Sequence, residues 1–433
     1  MKYRKIHILF ILPIFFLQNS WAQPTITSFS PASGNAGASV TINGTNFSTT
    51  AANNTVYFGS VKATVGSASS TQLTVTVPNG AIFRPISVTV SNLTAYSAQP
   101  FITTFSNCGD SLSSTSFQAK ADQTAGTTVY ASAIGDIDGD GKPDLVCANY
   151  SSNTVSVFRN TSSGGSISFA AKSDLSTGAS TNPIGVSLTD LDGDGKLDIA
   201  TSNYTSGTAS VFRNTSTSGS LSFATVQSFT LSTNPRFCTA GDIDGDGKPE
   251  LIAVNSGTTT VSVLRNTSTS GSISFAAKSD FSVGSTPYTP YVGDIDGDGK
   301  IDVLVANYSS SSFSVLRNTS TSGTISFAAA SNFSTGANPT GISVGDLDSD
   351  GKLDVATANY GANTVSIFRN TSSSGSISFA TKVDLTAGTN AYAVGMGDLD
   401  GDGKVDISIT NYGGANVSIF RNKSSSGTIS FAN

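Results

Sequence analysis

The chain is poor in the residues on which many enzymes depend. Its 433 residues include one His, one Trp, two Met and three Cys. The only Glu is Glu250, so every other acid is Asp. The His is His7 and the Trp is Trp21, both near the N-terminus. Beyond Ala22, His general bases, His-containing triads and His-ligated zinc are therefore excluded. Charged residues make up 12 % of the chain, against roughly 25 % in an average soluble domain. Cys108, Cys147 and Cys238 are too few and too scattered for a disulfide framework, and read as buried free thiols. After the N-terminal segment, no apolar run reaches the ~18 residues of a membrane span, so no span is expected. There is no basic stripe and no phosphate-cradling Gly loop before a helix, so nucleic acid is not an expected partner.

What is present begins with a leader-like segment. Lys2, Arg4 and Lys5 precede the apolar stretch Ile6 to Leu17, and Ser20-Trp21-Ala22 offers small residues around a cleavage point. Residues 1–22 thus read as a signal peptide, which implies a secreted, extracellular or cell-surface protein. Its removal would take the formal charge from −6 to −9, because three basic residues leave with it.

Residues 23–104 carry two charged side chains, Lys62 and Arg84. Short alternating runs such as Ser39-Val40-Thr41-Ile42 and Leu73-Thr74-Val75-Thr76-Val77 are separated by Gly and Pro clusters. That pattern predicts a small antiparallel sandwich. Pro24, Ile26, Phe29, Pro31, Gly34, Gly37, Val40, Ile42, Gly44 and Phe47 give the segment its likeness. Val56, Phe58-Gly59, Val77-Pro78 and Val88 continue it. On these residues it resembles the IPT/TIG family of immunoglobulin-like domains, which implies a binding or spacer module. Residues 105–116 read as a linker.

From Phe117 to residue 433 the chain repeats. The element Asp-x-Asp-x-Asp-Gly-Lys-x-(Asp/Glu) starts at Asp136, Asp190, Asp242, Asp294, Asp346 and Asp398, at a period of 52 residues after a first interval of 54. A fixed period of this size points to a propeller, solenoid or array. Four short strands are expected per unit; in the second they are 184–189, 197–203, 209–214 and 220–226. Phe117 and Phe431 lie in the same phase, six units apart. The expectation is therefore an all-β chain: an Ig-like β-sandwich followed by a closed β-propeller, six-bladed with four strands per blade. A seven-bladed ring with an irregular last blade, or a piece of a longer protein, are the alternatives.

The repeated loop carries the chemistry. Carboxylates at positions 1, 3, 5 and 9, with the main-chain carbonyl at position 7, can converge on one hard cation that wants six to eight oxygens. The six sets are Asp136, Asp138, Asp140, Lys142 and Asp144; Asp190, Asp192, Asp194, Lys196 and Asp198; Asp242, Asp244, Asp246, Lys248 and Glu250; Asp294, Asp296, Asp298, Lys300 and Asp302; Asp346, Asp348, Asp350, Lys352 and Asp354; and Asp398, Asp400, Asp402, Lys404 and Asp406. Unpaired, four such carboxylates would repel one another, so the loop calls for a cation. It is not an EF-hand, because position 12 is Cys147, Thr201, Ala253, Val305, Thr357 or Ile409 rather than Glu. An apolar strand follows instead. The loops resemble the calcium loops of integrin α-subunit propellers, the FG-GAP/VCBS repeat family, over residues 117–433. The resemblance implies about six Ca²⁺ per chain. The Phe-Gly-Gly-Ala-Pro element that names the family survives loosely, as in Phe333-Ser334-Thr335-Gly336-Ala337-Asn338-Pro339.

The loops take 24 of the 29 acids, and Asp122, Asp174, Asp280 and Asp384 also recur in phase, five residues after a repeated Phe. No asymmetric pair of carboxylates stands out, so no catalytic residue is expected and the chain does not read as an enzyme. Arg159, Arg213, Arg265, Arg317, Arg369 and Arg421 each precede Asn. These pairs read as staples between blades or turns. The pairs Asn149-Tyr150, Asn203-Tyr204, Asn307-Tyr308, Asn359-Tyr360 and Asn411-Tyr412 admit two readings: a sugar-stacking rim, or a turn-forming Asn with a packing Tyr. The expected function is a calcium-binding adhesion or ligand-binding protein, recognising a glycan or a protein. A polysaccharide-degrading propeller enzyme and a passive spacer are the alternatives.

Overall fold

The computed structural model describes residues 22–105, 120–163 and 165–432. The expected leader up to Trp21, most of the linker, and Cys108 lie outside these residues. Cys147 and Cys238 are buried free thiols, as expected. No helix among the described residues is long and apolar enough to cross a membrane.

Alternation of Val, Ile and Thr with small polar residues makes the N-terminal module all strand. Seven of its strands form one sheet in the spatial order Thr25–Ser30, Ser39–Thr45, Gln72–Thr76, Val61–Ala68, Thr55–Phe58, Pro85–Val90 and Leu93–Pro100, and Ser33–Gly34 pairs with Ile102–Thr103. The sheet folds over one core, in which Val40, Ile42, Leu73 and Val75 meet Val56, Phe58, Ile86 and Val88, all at most 1 % exposed.

Each repeat then builds one antiparallel meander. In the first blade the strands are Val129–Gly135, Asp144–Asn149, Thr154–Phe158 and Ser173–Ser176, hydrogen-bonded in that order. The innermost strands of the next five blades are Pro183–Thr189, Pro235–Gly241, Pro287–Gly293, Pro339–Gly345 and Ala391–Gly397, each against its predecessor. The middle strands, such as Asp302–Asn307, are buried along their whole length. Such a strand is covered on both faces, so its sequence is continuously apolar rather than alternating. The covering comes from the next blade. Ala200, Ala209 and Val211 of blade 2 pack on Leu251 and Ala253 of blade 3. Ile252, Val261 and Val263 of blade 3 pack with Val303 and Val305 of blade 4.

Two expectations are corrected. The fourth strand of unit two is Gln227–Thr230, not 220–226. The Ser-Gly segment before it folds into a tight turn with isolated bridges Thr217↔Ser220 and Asn214↔Phe223, because its hydroxyls and glycine favour a reversal over an extended run. Among the described residues, the sixth sheet has three strands, not four: Ala391–Gly397, Asp406–Asn411 and Asn416–Phe420. Its Val417 and Ile419 are 56 % and 46 % exposed, whereas their counterparts Val365 and Ile367 in blade 5 are 0 % and 1 % exposed under the sixth blade. Ile134 on blade 1 is likewise exposed. Among the described residues, the end blades thus leave these apolar side chains exposed.

The N-terminal module sits across the acidic-loop end of the blades. Tyr57 Oη donates to the Gly195 carbonyl at 2.8 Å and the Thr94 N–H to the Gly247 carbonyl at 2.7 Å. Gln23 Nε2 donates to Asp242 Oδ2 at 3.0 Å and Gln99 Nε2 to the Gly351 carbonyl at 2.8 Å. The Asp136 N–H meets the Ser60 carbonyl at 2.9 Å, and the Arg84 guanidinium lies 5.0 Å from the Tyr291 ring centroid. Among the described residues, the N-terminal module therefore covers one end of the propeller axis and nothing covers the other.

Candidate metal centres and the free tyrosine face

Each acidic loop joins the innermost strand to the second. Gly139 and Gly141 hold φ of 73° and 85°, the left-handed values that turn the chain back on itself. Ser349, the one non-glycine at this place in the six loops, accepts φ of 60°. The turn points backbone N–H groups inward at its own carboxylates. Gly141 donates to Asp136 Oδ2 at 3.1 Å, Asp140 to Asp138 Oδ1 at 3.1 Å, and Lys142 to Asp140 Oδ1 at 2.9 Å. Asp144 receives Ile137 N–H on one oxygen at 2.9 Å and Asn160 N–H on the other at 2.7 Å. In the third loop, Glu250 takes the same two bonds, from Ile243 and Asn266.

The carboxylates converge. Ligand oxygens lie within 4.8 Å of one another in Asp136, Asp138 and Asp144; Asp190, Asp192 and Asp194; Asp242, Asp244 and Asp246; Asp294, Asp296 and Asp302; and Asp346, Asp348 and Asp354. Burial, then the charge of neighbouring Asp side chains, outweighs the hydrogen bonds at position 1. Asp136 is pushed up to about 6, and Asp190 and Asp242 to about 7. At position 9, burial raises Asp144 to about 6, Asp302 and Asp354 to about 7, and Glu250 to about 8. Asp136 Oδ1 and Asp190 Oδ1 are buried with no hydrogen-bond partner. Clustered, desolvated oxygens with an unused lone pair are a donor set for a metal ion. The residues present fit one. The lysine at position 7 offers only its carbonyl, because Lys248, Lys300, Lys352 and Lys404 donate their Nζ to the carbonyls of Ser268, Ser320, Ser372 and Ser424 at 2.7–2.8 Å. In the sixth loop, Arg421 pairs with Asp400 and lies 3.5 Å from Asp402.

The Arg-Asn pairs divide their labour. The Asn is the staple: Asn318 Nδ2 donates to the Ile243 carbonyl of the preceding loop at 2.7 Å and to the Ile301 carbonyl of its own at 2.8 Å. Asn214, Asn266, Asn370 and Asn422 repeat this arrangement. The Arg leans on its own acidic loop, as Arg213 does at 3.7 Å from Asp194 and Arg369 at 3.8 Å from Asp350. The Gly of each Ser-Gly turn donates back to position 3 of the preceding loop, as Gly323 does to Asp244 Oδ2 at 2.9 Å. An acidic loop is thus tied to its own blade and the next.

The Asn-Tyr pairs lie at the opposite end of the blades. The Asn is structural. Asn149, Asn203, Asn307 and Asn359 are fully buried, and Asn149 Nδ2 donates to Thr154 Oγ1 at 3.0 Å and Ser156 Oγ at 2.8 Å. The tyrosines instead form two runs around the axis, interrupted at unit three, where Ser256 stands in place of Tyr. Centroids are 6.4 Å apart for Tyr150 and Tyr204, 6.5 Å for Tyr308 and Tyr360, and 6.4 Å for Tyr360 and Tyr412. A second set, not evident from the repeat, packs beside them. The second residue of each innermost strand sits at a β-bulge. There Tyr130 approaches Tyr150 at 5.4 Å, Tyr288 approaches Tyr308 at 5.9 Å, and Tyr392 approaches Tyr412 at 6.0 Å. Tyr288 and Tyr392 share a hydrogen bond of 2.8 Å between hydroxyls. The side chains at the bulge differ from blade to blade, so no motif announced them.

The FG-GAP-like repeat model matches residues 136–201, 190–253, 242–305, 294–357 and 346–409, and the FG-GAP repeat model matches 390–431. The IPT/TIG domain model matches 24–106. A search of curated proteins found no match. Among solved structures, a protein from Lactobacillus plantarum aligns at 14 % identity and a TM-score of 0.50, covering 88 % of this chain and 95 % of that one. A putative 6-phosphogluconolactonase from Bacteroides fragilis NCTC 9343 aligns at 19 % identity and a TM-score of 0.50, covering 69 % and 81 %. At these identities the likeness concerns the fold alone.

Proposed function

This chain belongs to the FG-GAP-like repeat family, with an IPT/TIG domain ahead of its repeats, and from that premise we propose that it is a secreted or cell-surface binding protein, not an enzyme, that takes a saccharide on its free face. The observation that carries this reading is the two runs of tyrosines, Tyr130-Tyr150-Tyr204 and Tyr288-Tyr308-Tyr360-Tyr392-Tyr412, at the end of the axis opposite the N-terminal module. Tyrosine presents a flat apolar ring and a hydroxyl, the two contacts that a pyranose offers in return. The leader-like N-terminus supports export.

Calcium is the ion we assign to the acidic loops. All candidate ligands are oxygens, several are carboxylates, and the loop is built from a flexible turn, which suits a large hard cation. Asp136, Asp138, Asp140 and Asp144, with the Lys142 carbonyl, would hold it in the first blade, and the corresponding residues in the others. When bound, the ion supplies the positive charge that these buried carboxylates lack. The chain's own residues do the rest: the Asn staples and the Gly N–H groups pass the order of one loop to the next blade.

A glycan array probed with the purified protein, followed by titration of the hits, tests the face. Tyr308→Ala combined with Tyr360→Ala should weaken saccharide binding at least about tenfold, on the scale of lost ring stacking, while the thermal melt stays put. Undiminished binding by that folded variant would overturn the assignment. Metal analysis of protein purified in calcium should find several Ca²⁺ per chain; a metal-free protein with an unchanged melt in chelator would remove the ion.

A further inference from the structure

Arg236 occupies the bulge position on the innermost strand of blade 3, between the two tyrosine runs. Its guanidinium carbon lies 4.2 Å from the Tyr288 ring centroid and 5.6 Å from that of Tyr204. The ion pairs among the described residues use Lys120, Lys172, Arg213, Arg265, Lys278, Arg369, Lys382 and Arg421, and Arg236 is not one of them. Its Nε is buried without a hydrogen-bond partner. The other arginines of the repeats that form ion pairs lean on acidic loops at the far end of the blades, whereas this one lies against two tyrosine rings.

A guanidinium stays protonated and presents its donors in one plane, along its edge. Rings beside it stabilise the charge through their quadrupoles but accept none of those in-plane N–H bonds. A charge that is partly desolvated and left unpaired is costly unless something supplies the missing acceptors. A carboxylate matches that edge with two parallel bonds. We propose that Arg236 is the charge-reading residue of the free face and that the saccharide bound there carries a carboxylate, as a uronic acid does. The tyrosines stack the sugar rings and Arg236 takes the acid group. This inference rests on the saccharide reading of that face and adds the class of sugar.

The test uses the full chain in calcium. Short oligosaccharides of polygalacturonate, hyaluronate and mannuronate are titrated, each beside its carboxyl-reduced counterpart. At least one acidic form should bind about tenfold or more tighter than its reduced partner at low salt, and the gap should close as salt rises. Arg236→Gln should bind both forms alike, at the affinity of the reduced one. Arg236→Lys, which keeps the charge without the planar fork, should recover only part of the gap. A folded Arg236→Gln that retains the full preference overturns the proposal. So does a wild type without any preference, and that result needs no variant to fold. If the reduced sugars bind and lose affinity on Tyr308→Ala with Tyr360→Ala, while the acidic forms gain nothing, the tyrosine face survives and the role of Arg236 falls. If neither form of any sugar binds, both fall together.

Discussion

At the residue scale, the polar side chains of this protein are mostly structural, and their value depends on what lies across the blade boundary. Asn318 bonds two carbonyls from two different loops, so Asn318→Ala leaves buried acceptors unmatched. A loss on the order of 3 kcal/mol is expected from chemical denaturation. Asn160 Nδ2 meets only the Pro143 carbonyl, so Asn160→Ala should cost on the order of 1 kcal/mol. Equal losses would contradict the inter-blade role. The carboxylates give a pH prediction. Burial raises Asp136 to about 6, Asp302 to about 7 and Glu250 to about 8, from ordinary values of 3.8, 3.8 and 4.5. The folded state then holds more protons than the unfolded one between those limits. Without metal, its stability is greatest below about pH 4 with respect to these groups, and falls as pH rises through 6 to 8. Calcium competes with those protons, so its stabilising effect should grow over the same interval. Melting curves in chelator and in calcium from pH 5 to 8 check both slopes. A chelated protein that became more stable with rising pH would contradict the loop electrostatics.

At the element scale, a blade is stable because its neighbour covers it. Val365 is fully buried beneath the sixth blade, and Val365→Asp should cost more than about 3 kcal/mol by burying an unpaired charge. Val417 holds the same place on the sixth blade and is 56 % exposed, so Val417→Asp should change stability by less than about 1 kcal/mol. Comparable losses at the two positions would mean that the outer face of the sixth blade is covered in solution. The alternation in residues 24–104 and the continuous apolar runs of the middle strands were readable as strands. The fourth strand was displaced because Phe223 pairs with Asn214 within a tight turn, and periodicity alone does not distinguish a turn's bridge from a strand.

At the scale of the whole molecule, the two modules meet over the acidic loops, and two glycines of like conformation separate that contact from backbone strain. Gly193 and Gly297 both have φ of 73°. A Cβ on Gly297 would meet nothing within 4 Å, whereas one on Gly193 would come within 2.6 Å of the Asn92 backbone in the N-terminal module. Gly297→Ala should cost about 1 kcal/mol for the left-handed backbone. Gly193→Ala should cost on the order of 2 kcal/mol more, or free the module, because the neighbouring backbone must shift. Thermal melting and limited proteolysis of the two variants would show it, and identical behaviour would refute the docking. The same contact is why the proposed saccharide site is placed at the other end of the axis.

By itself the sequence determined the all-β class, the repeat, the metal-type loops and the scarcity of catalytic residues. These are local properties: a period of two, a turn that needs glycine, and carboxylates too close to stand unpaired are written in consecutive residues. Tertiary structure decided the division of labour. Asn149 and its equivalents are buried while the tyrosines beside them line an open face, although each pair is adjacent in sequence. It also decided which end of the axis the first module covers, and it brought Arg236, Tyr204 and Tyr288 together from separate strands and turns. Those contacts join residues tens of positions apart. They depend on how blades stack about an axis, which no local pattern encodes.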